Sequence, residues 1–313
     1  MKRMAVVVLM LGGLVGVAPA LAADPVAVLT EIQVKRGQVH VRPVGATEWQ
    51  PAVPLQSLRA GDQVRVIGEG RAVIVMTGAA APLMVTQSSS PYSVSAAPAE
   101  SMTDRARAVL GGVTDFLLGQ QRGRTFQSLS VRSMRVPPVI LAPRETKVAA
   151  GPLAFEWSGS ATARYRVRLL GPSGVVWEQA DLPRAPLPYP AAAPALTPGT
   201  RYTWELETTG APVQRAQFEV VSVAEAARVQ EALGLLDPAL RGYPPATVSL
   251  LKGGLFFKEA LYADARRELL AGIAASPDEP TLHTLLAEVY DRVGLAQLAS
   301  QEAQEADRLS KAP

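Results

Sequence analysis

No cysteine occurs among the 313 residues, which excludes disulfides, thiolate metal sites and a lipoprotein anchor built on an N-terminal cysteine. Histidine is nearly as scarce: His40 and His283 stand far apart in sequence, so a shared imidazole metal site is not expected. Aromatic residues make up 5% of the chain, so each must be accounted for individually. An excess of one charge is missing too. The 31 Lys and Arg, less Lys2 and Arg3 of an N-terminal leader, leave 29 against 28 Asp and Glu, and a nearly neutral chain gives no reason to expect a nucleic-acid partner. No serine stands in a nucleophile elbow, and no glycine-rich loop with a lysine joins a strand to a helix. Carboxylates such as Asp278 and Glu279 fall at a predicted turn, where capping explains them. These absences lead to the expectation of no enzyme, no cofactor and no metal, with a carboxylate-pair hydrolase of glycans or peptides as the alternative.

What is present begins with an address. Lys2 and Arg3, the uncharged apolar run 5–18 and Ala20-Leu21-Ala22 have the pattern of an export signal over residues 1–22, with a mature chain from Ala23. The run of about 14 residues is shorter than the roughly 20 a helix needs to span a bilayer. Cleavage and a periplasmic location are therefore expected, and retention as a membrane anchor is the alternative. About 290 remaining residues suffice for two or three ordinary cores.

Residues 26–96 alternate like half-buried strands. Val28, Ile32, Val34, Val39 and Val41 form one series, interrupted at Gly37, and Val64, Val66, Ala72, Ile74 and Met76 form another. Gly61 and Asp62 suit a turn between them, and Gly68 to Gly70 suit a hairpin turn within the second series. A small antiparallel β module is expected. Trp49 reads first as a core or half-core aromatic and second as a ligand platform, whereas His40, between two inward valines, is expected to face solvent. The order GQVHV, a tryptophan, LRAGDQVRV and GRAVIVMTG across 37–78 resembles the periplasmic FecR-type domain. That resemblance implies a β-rich sensing or protein-interaction unit, best known from regulators that relay an iron-siderophore signal to a sigma factor. The chain shows no cytoplasmic segment followed by a membrane helix before this module, so the expectation carries over the domain and not the pathway.

Residues 97–136 are expected to form an amphipathic helix and a basic linker. From Ser101 or Thr103 onward, Met102, Ala106, Val109, Leu110, Val113, Phe116 and Leu117 recur at three and four, marking one apolar face that docks on the β module. Beyond it, Arg122, Arg124, Arg132 and Arg135 stand without an acidic neighbour. They form either a contact for anionic lipid head groups or an acidic polymer, or a solvated linker.

Residues 137–222 contain six short β-rich stretches separated by turn residues: 139–141, 153–157, 165–170, 175–180, 201–207 and 214–221. Leu196-Thr197-Pro198-Gly199-Thr200-Arg201-Tyr202 resembles the tyrosine corner of fibronectin type III domains, and Trp157 matches an early core tryptophan of that family. The resemblance implies a spacer or binding sandwich.

After Val223 the composition turns to alanine, leucine and glutamate. Gly253 and Ala287, Phe256 and Tyr290, and Ala265 and Ala299 each lie 34 residues apart, a period that resembles tetratricopeptide repeats over 223–313. Gly272 departs from that family's usual alanine, and Ser249 and His283 take its early aromatic position. The tail is either a groove for a peptide or partner helix or only a structural cap.

The expected fold is therefore a multidomain α and β chain: a small antiparallel β module, an immunoglobulin/fibronectin-like β-sandwich and C-terminal α-helical repeat hairpins. The expected function is an exported cell-envelope interaction or scaffold protein, binding envelope proteins or an anionic envelope polymer, with possible peripheral membrane contact through the basic linker. A FecR-related sensor acting through a membrane partner is the alternative. Trp49, Arg122, Arg124, Arg132, Arg135 and His283 are the candidate partner-binding residues.

Overall fold

The structure is a computed structural model that describes residues 24–77, 79, 81–95, 103–120, 138–149 and 153–311. Among these residues it is a mixed α and β architecture of three sheets and six α-helices. In chain order the elements are β1 (Ala27–Arg42), β2 (Gln50–Pro51), β3 (Ser57–Leu58), β4 (Gln63–Met76), β5 (Leu83–Thr86), β6 (Tyr92–Ser93) and α1 (Asp104–Gln120). There follow β7 (Val139–Ala142), β8 (Thr146–Val148), β9 (Ala154–Ser158), β10 (Tyr165–Gly171), β11 (Gly174–Leu182), β12 (Leu187–Pro188), β13 (Arg201–Thr208) and β14 (Gln214–Val220). The chain closes with α2 (Val223–Ala239), α3 (Pro245–Lys258), α4 (Tyr262–Ala275), α5 (Pro280–Arg292) and α6 (Ala296–Ser310).

The first sheet runs β2-β1-β4-β5, with β3 also on β1 and β6 also on β4. Its frame is a long antiparallel ribbon in which β1 and β4 pair along their whole lengths. Gly68 to Gly70 make no hairpin turn: they lie inside β4, where Gly68 faces Gly37 and Gly70 faces Val34. The reason is steric. A Cβ on Gly37 would lie 1.8 Å from the Ile67 carbonyl oxygen, and one on Gly68 would lie 2.2 Å from that of Arg36. Glycine here allows two backbones to approach and the ribbon to bend, and it does not reverse the chain. Val39, Val41, Val64, Val66, Ala72 and Ile74 fill the core beneath.

A five-stranded sheet, β11-β10-β13-β14-β8, and a three-stranded sheet, β12-β9-β7, share a second core around Phe155, Val167, Leu169, Trp204, Leu206 and Phe218. Of their pairings only β14 with β8 is parallel. The six expected strands fall within two residues of their observed bounds. β8 and β12 escaped notice because they are too short for alternation to register, and Pro188 in β12 is tolerated on a sheet edge.

Helix α1 does more than dock on the β module. Its Leu110, Val113 and Leu117 share one core with Val28 and Val75 of the first sheet and with Leu236, Leu250 and Leu255 of the helical tail. Gly254 makes this possible, since a Cβ there would already sit 3.2 Å from Val113 and Leu117. The pairs α3–α4 and α5–α6 stack behind it, again on small residues: a Cβ on Gly272 would lie 2.7 Å from the Ser249 Cβ. Among the described residues no helix is long and apolar enough to cross a membrane.

Candidate functional site

Two arrangements stand out, one open and one sealed. The open one lies on the outer face of β1 and β4. His40 pairs with Arg65 and Arg42 with Gln63 across the ribbon, so these four side chains share the face opposite the valine core. The loop 43–49 folds over it, pinned by Asp62, whose Oδ1 accepts from the Val44 N–H at 2.8 Å and Oδ2 from the Arg59 N–H at 2.8 Å. That loop delivers Trp49, half-buried, against both arginines: the Arg65 guanidinium carbon is 4.3 Å and the Arg42 carbon 4.9 Å from the ring centroid. Each is within cation–π range. Arg42 also donates to Gln63 Oε1, and Gln63 Nε2 donates to Ser93 Oγ at 3.3 Å.

This face is electrostatically unfinished. Among the described residues no carboxylate pairs with Arg42 or Arg65. Two buried atoms on it, His40 Nδ1 and Arg65 Nε, have no hydrogen-bond partner. Burial, with the Arg65 charge adding to it, holds the His40 imidazole below its usual range, which favours the neutral ring. His40 thus belongs to a partly covered cluster and does not stand free in solvent. Sequence reading found Trp49 but missed its two flanking arginines; positions 40, 42, 63 and 65 share strand parity, and that was the signal available.

The sealed arrangement joins the first sheet to the helices. Between the segments of β1 that pair with β3 and β2, its outer edge is covered by two helix N-termini. A register shift between Leu29 and Glu31 turns Thr30 and Glu31 toward them. Helix α3 is preceded by Pro244 and has no side-chain cap of its own; Glu31 supplies one, with Oε1 accepting from the Thr247 N–H at 2.9 Å and Oγ1–H at 2.6 Å. Its other oxygen meets Arg71 at 3.1 Å. Helix α5 is capped by Glu279, whose carboxyl accepts from the Thr281 N–H and, on both oxygens, from the Ile32 N–H at 3.2 Å. Thr30, Glu31, Thr247, Glu279 and Thr281 are all fully buried.

One hydroxyl proton here faces two acceptors. Thr281 Oγ1 lies 2.6 Å from the Thr30 carbonyl oxygen and 2.7 Å from Glu279 Oε1, and it has one proton for the two. When that proton goes to the carbonyl, the Glu279 contact is satisfied by a proton on the carboxyl. Burial pushes the Glu279 carboxyl up to about 7, with the nearby Glu31 charge adding to the rise and the Thr281 and Ile32 hydrogen bonds opposing it.

The second β unit is tied to the helices in the same manner. Thr146 Oγ1 accepts from the Tyr262 N–H at 2.8 Å, capping α4, whose preceding residue is Leu261. Arg266, largely buried, donates to Glu156 at 2.7 Å and to the Tyr290 hydroxyl at 3.3 Å.

Of the candidate partner-binding residues, Trp49 is on the open face. His283 lies 8% exposed between α5 and α6, with Nδ1 2.7 Å from Glu302 Oε2. Burial acts to lower its pKa, but the bonded Glu302 carboxylate prevails and raises it; the ring is engaged within the fold. Arg122, Arg124, Arg132 and Arg135 lie outside the described residues. Among the described residues no three His, Asp or Glu side chains converge in a way that could hold a metal ion.

No protein-family model matches the chain, and no curated protein matches it. Among solved structures, a beta-1,2-glucanase from Parabacteroides distasonis is similar at 9% identity and a TM-score of 0.23, over 91% of this chain and 49% of that one. This chain therefore spans about half the length of that protein. The expectation of no enzyme is corrected on this finding: a neighbour bearing an enzyme's name removes the exclusion, while a likeness this weak assigns neither an activity nor a residue.

Proposed function

We propose that the chain is an exported cell-envelope interaction protein that holds protein or envelope-polymer partners on the outer face of β1 and β4. In this reading residues 26–96 are a FecR-type periplasmic domain, 137–222 a fibronectin type III-like sandwich and 223–313 tetratricopeptide-like hairpins. The sandwich assignment is supported by the Tyr202 hydroxyl, which accepts from the Thr197 N–H at 2.9 Å as a tyrosine corner requires. The repeat assignment is supported by two successive helix pairs meeting on Gly253, Gly272 and Ala299.

The observation that carries the functional reading is the open face itself: Trp49 packed against two arginines that, among the described residues, no carboxylate neutralises. An aromatic ring with arginine beside it is the composition of binding hot spots. The interlocked caps on β1 keep that face from shifting relative to the helices. The test is in-cell photo-crosslinking from a reactive amino acid at exposed Gln50, beside Trp49, with exposed Val175 of β11 as the control position. A discrete adduct from Gln50 and none from Val175 is expected. Equal or absent labelling at both positions refutes the reading, and a membrane protein as the adduct favours the sensor form of it.

A further inference from the structure

We infer that the Trp49 face is a binding site for a carboxylate-bearing polysaccharide, with Arg42 and Arg65 gripping the acid group of one sugar residue and Gln63 and Ser93 meeting its hydroxyls. The inference rests on the reading of this face as the recognition surface and adds the class of ligand. Charge complementarity carries it first. Two guanidiniums against one ring, with no carboxylate of the described residues on either, are matched in charge by an anion that arrives from outside.

The neighbours select the kind of anion. Among the described residues the cluster of 40, 42, 49, 63, 65 and 93 includes no lysine and no α-helix N-terminus, the features that gather around phosphate. It offers flat forked donors, which match a flat carboxylate two bonds at a time. His40 Nδ1 and Arg65 Nε lie beneath the same cluster, buried and without a hydrogen-bond partner, so the polar groups of this face are under-satisfied from within the fold. At the rim, the Gln63 amide and Ser93 hydroxyl already bond each other in an exposed position, as neutral partners for sugar hydroxyls. A peptide cannot add as a strand between β1 and β4, because the two strands occupy each other's ladder throughout. Recognition on this face therefore proceeds through side chains.

The experiment is equilibrium binding of the full chain at physiological salt to polygalacturonate, to its methyl ester, to polyglutamate and to polyphosphate. Polygalacturonate is expected to bind, and the other three to bind at least about tenfold more weakly. Arg42→Gln and Arg65→Gln are each expected to weaken polygalacturonate binding by about tenfold, the loss of one charge-assisted pair, with unchanged thermal melting as the control for folding. A variant with Arg122, Arg124, Arg132 and Arg135 all replaced by Gln is expected to bind as the parent does. Polyphosphate or polyglutamate binding as tightly as polygalacturonate overturns the proposal. So does binding that survives both single variants, binding that disappears in the fourfold variant, or no binding at all. If the Gln50 crosslink to a cellular partner persists while polygalacturonate fails, the recognition face stands and only the ligand class is lost.

Discussion

Stability should fall as pH rises from 5 to 8, and Glu279→Gln should abolish most of that fall. In the folded protein the Glu279 carboxyl is pushed up to about 7, against 4.5 for an ordinary glutamate. The unfolded chain thus releases this proton near 4.5, while the folded chain keeps it to about 7. Between those values the folded state binds more protons, so its contribution is fully present below about 4.5 and lost as pH rises through about 7. At about 1.4 kcal/mol per pH unit the loss comes to about 3 kcal/mol, a large share of the stability of an ordinary domain. The groups facing the carboxyl are Glu31 on β1, with its Arg71 partner on β4, and Thr281 on α5 itself. Glutamine cannot ionise, and it keeps an acceptor oxygen for the Ile32 and Thr281 amides. The assay is urea unfolding of parent and variant at each pH, read as the difference between them, which cancels other titrating groups such as His283. The two proteins should be within about 1 kcal/mol of each other at pH 5, and the variant should be the more stable at pH 8. Once the base-catalysed rise of the intrinsic exchange rate is divided out, protection of the Ile32 amide should fall across the same range in the parent and stay level in the variant. A difference that stays flat from pH 5 to 8 refutes the argument.

Sequence reading reached furthest where the physics is local. The strands of the second unit, the α1 face and the C-terminal helices each follow from alternation or a helical period carried by consecutive residues. It failed where the decisive partner is distant. An N-cap is sought in the residue just before a helix, yet α3 follows Pro244 and α4 follows Leu261. Their caps come from Glu31 and Thr146, at separations of 216 and 116 residues. Glu279 was legible as a cap, but its second role, receiving the Ile32 amide 247 residues away, was not. Gly68 and Gly70 failed for a related reason. A turn and a close approach of two backbones both demand glycine, and only the pairing with Gly37 tells them apart. The open face lay between these cases. Trp49 was evident, while Arg42 and Arg65 needed the register of two strands to be seen as its neighbours.

The distant caps make a second prediction: Thr146→Val should cost about 1 kcal/mol by leaving the first turn of α4 without its acceptor, measured by urea unfolding. Tyr202→Phe should cost about 1 kcal/mol in the same assay, because the Thr197 N–H loses its partner; no change would count against the tyrosine-corner reading. The crossing of α3 and α4 supports a sharper test, because two effects of opposite sign compete there. Replacing Gly272 by alanine raises helix propensity by about 1 kcal/mol, but the new Cβ would lie 2.7 Å from that of Ser249, and overpacking of this kind costs about 1–3 kcal/mol. The steric term should prevail, so Gly272→Ala should destabilise the parent protein. In a Ser249→Gly background the obstructing Cβ and Oγ are gone and the nearest remaining atom is the Leu282 Cδ1 at 3.2 Å, the end of a side chain that can give by a few tenths of an ångström; the propensity gain should then prevail, and the same substitution should stabilise. Two helices in close contact predict that reversal of sign, and equal effects in both backgrounds would show that the approach of Gly272 to Ser249 does not limit what position 272 can hold.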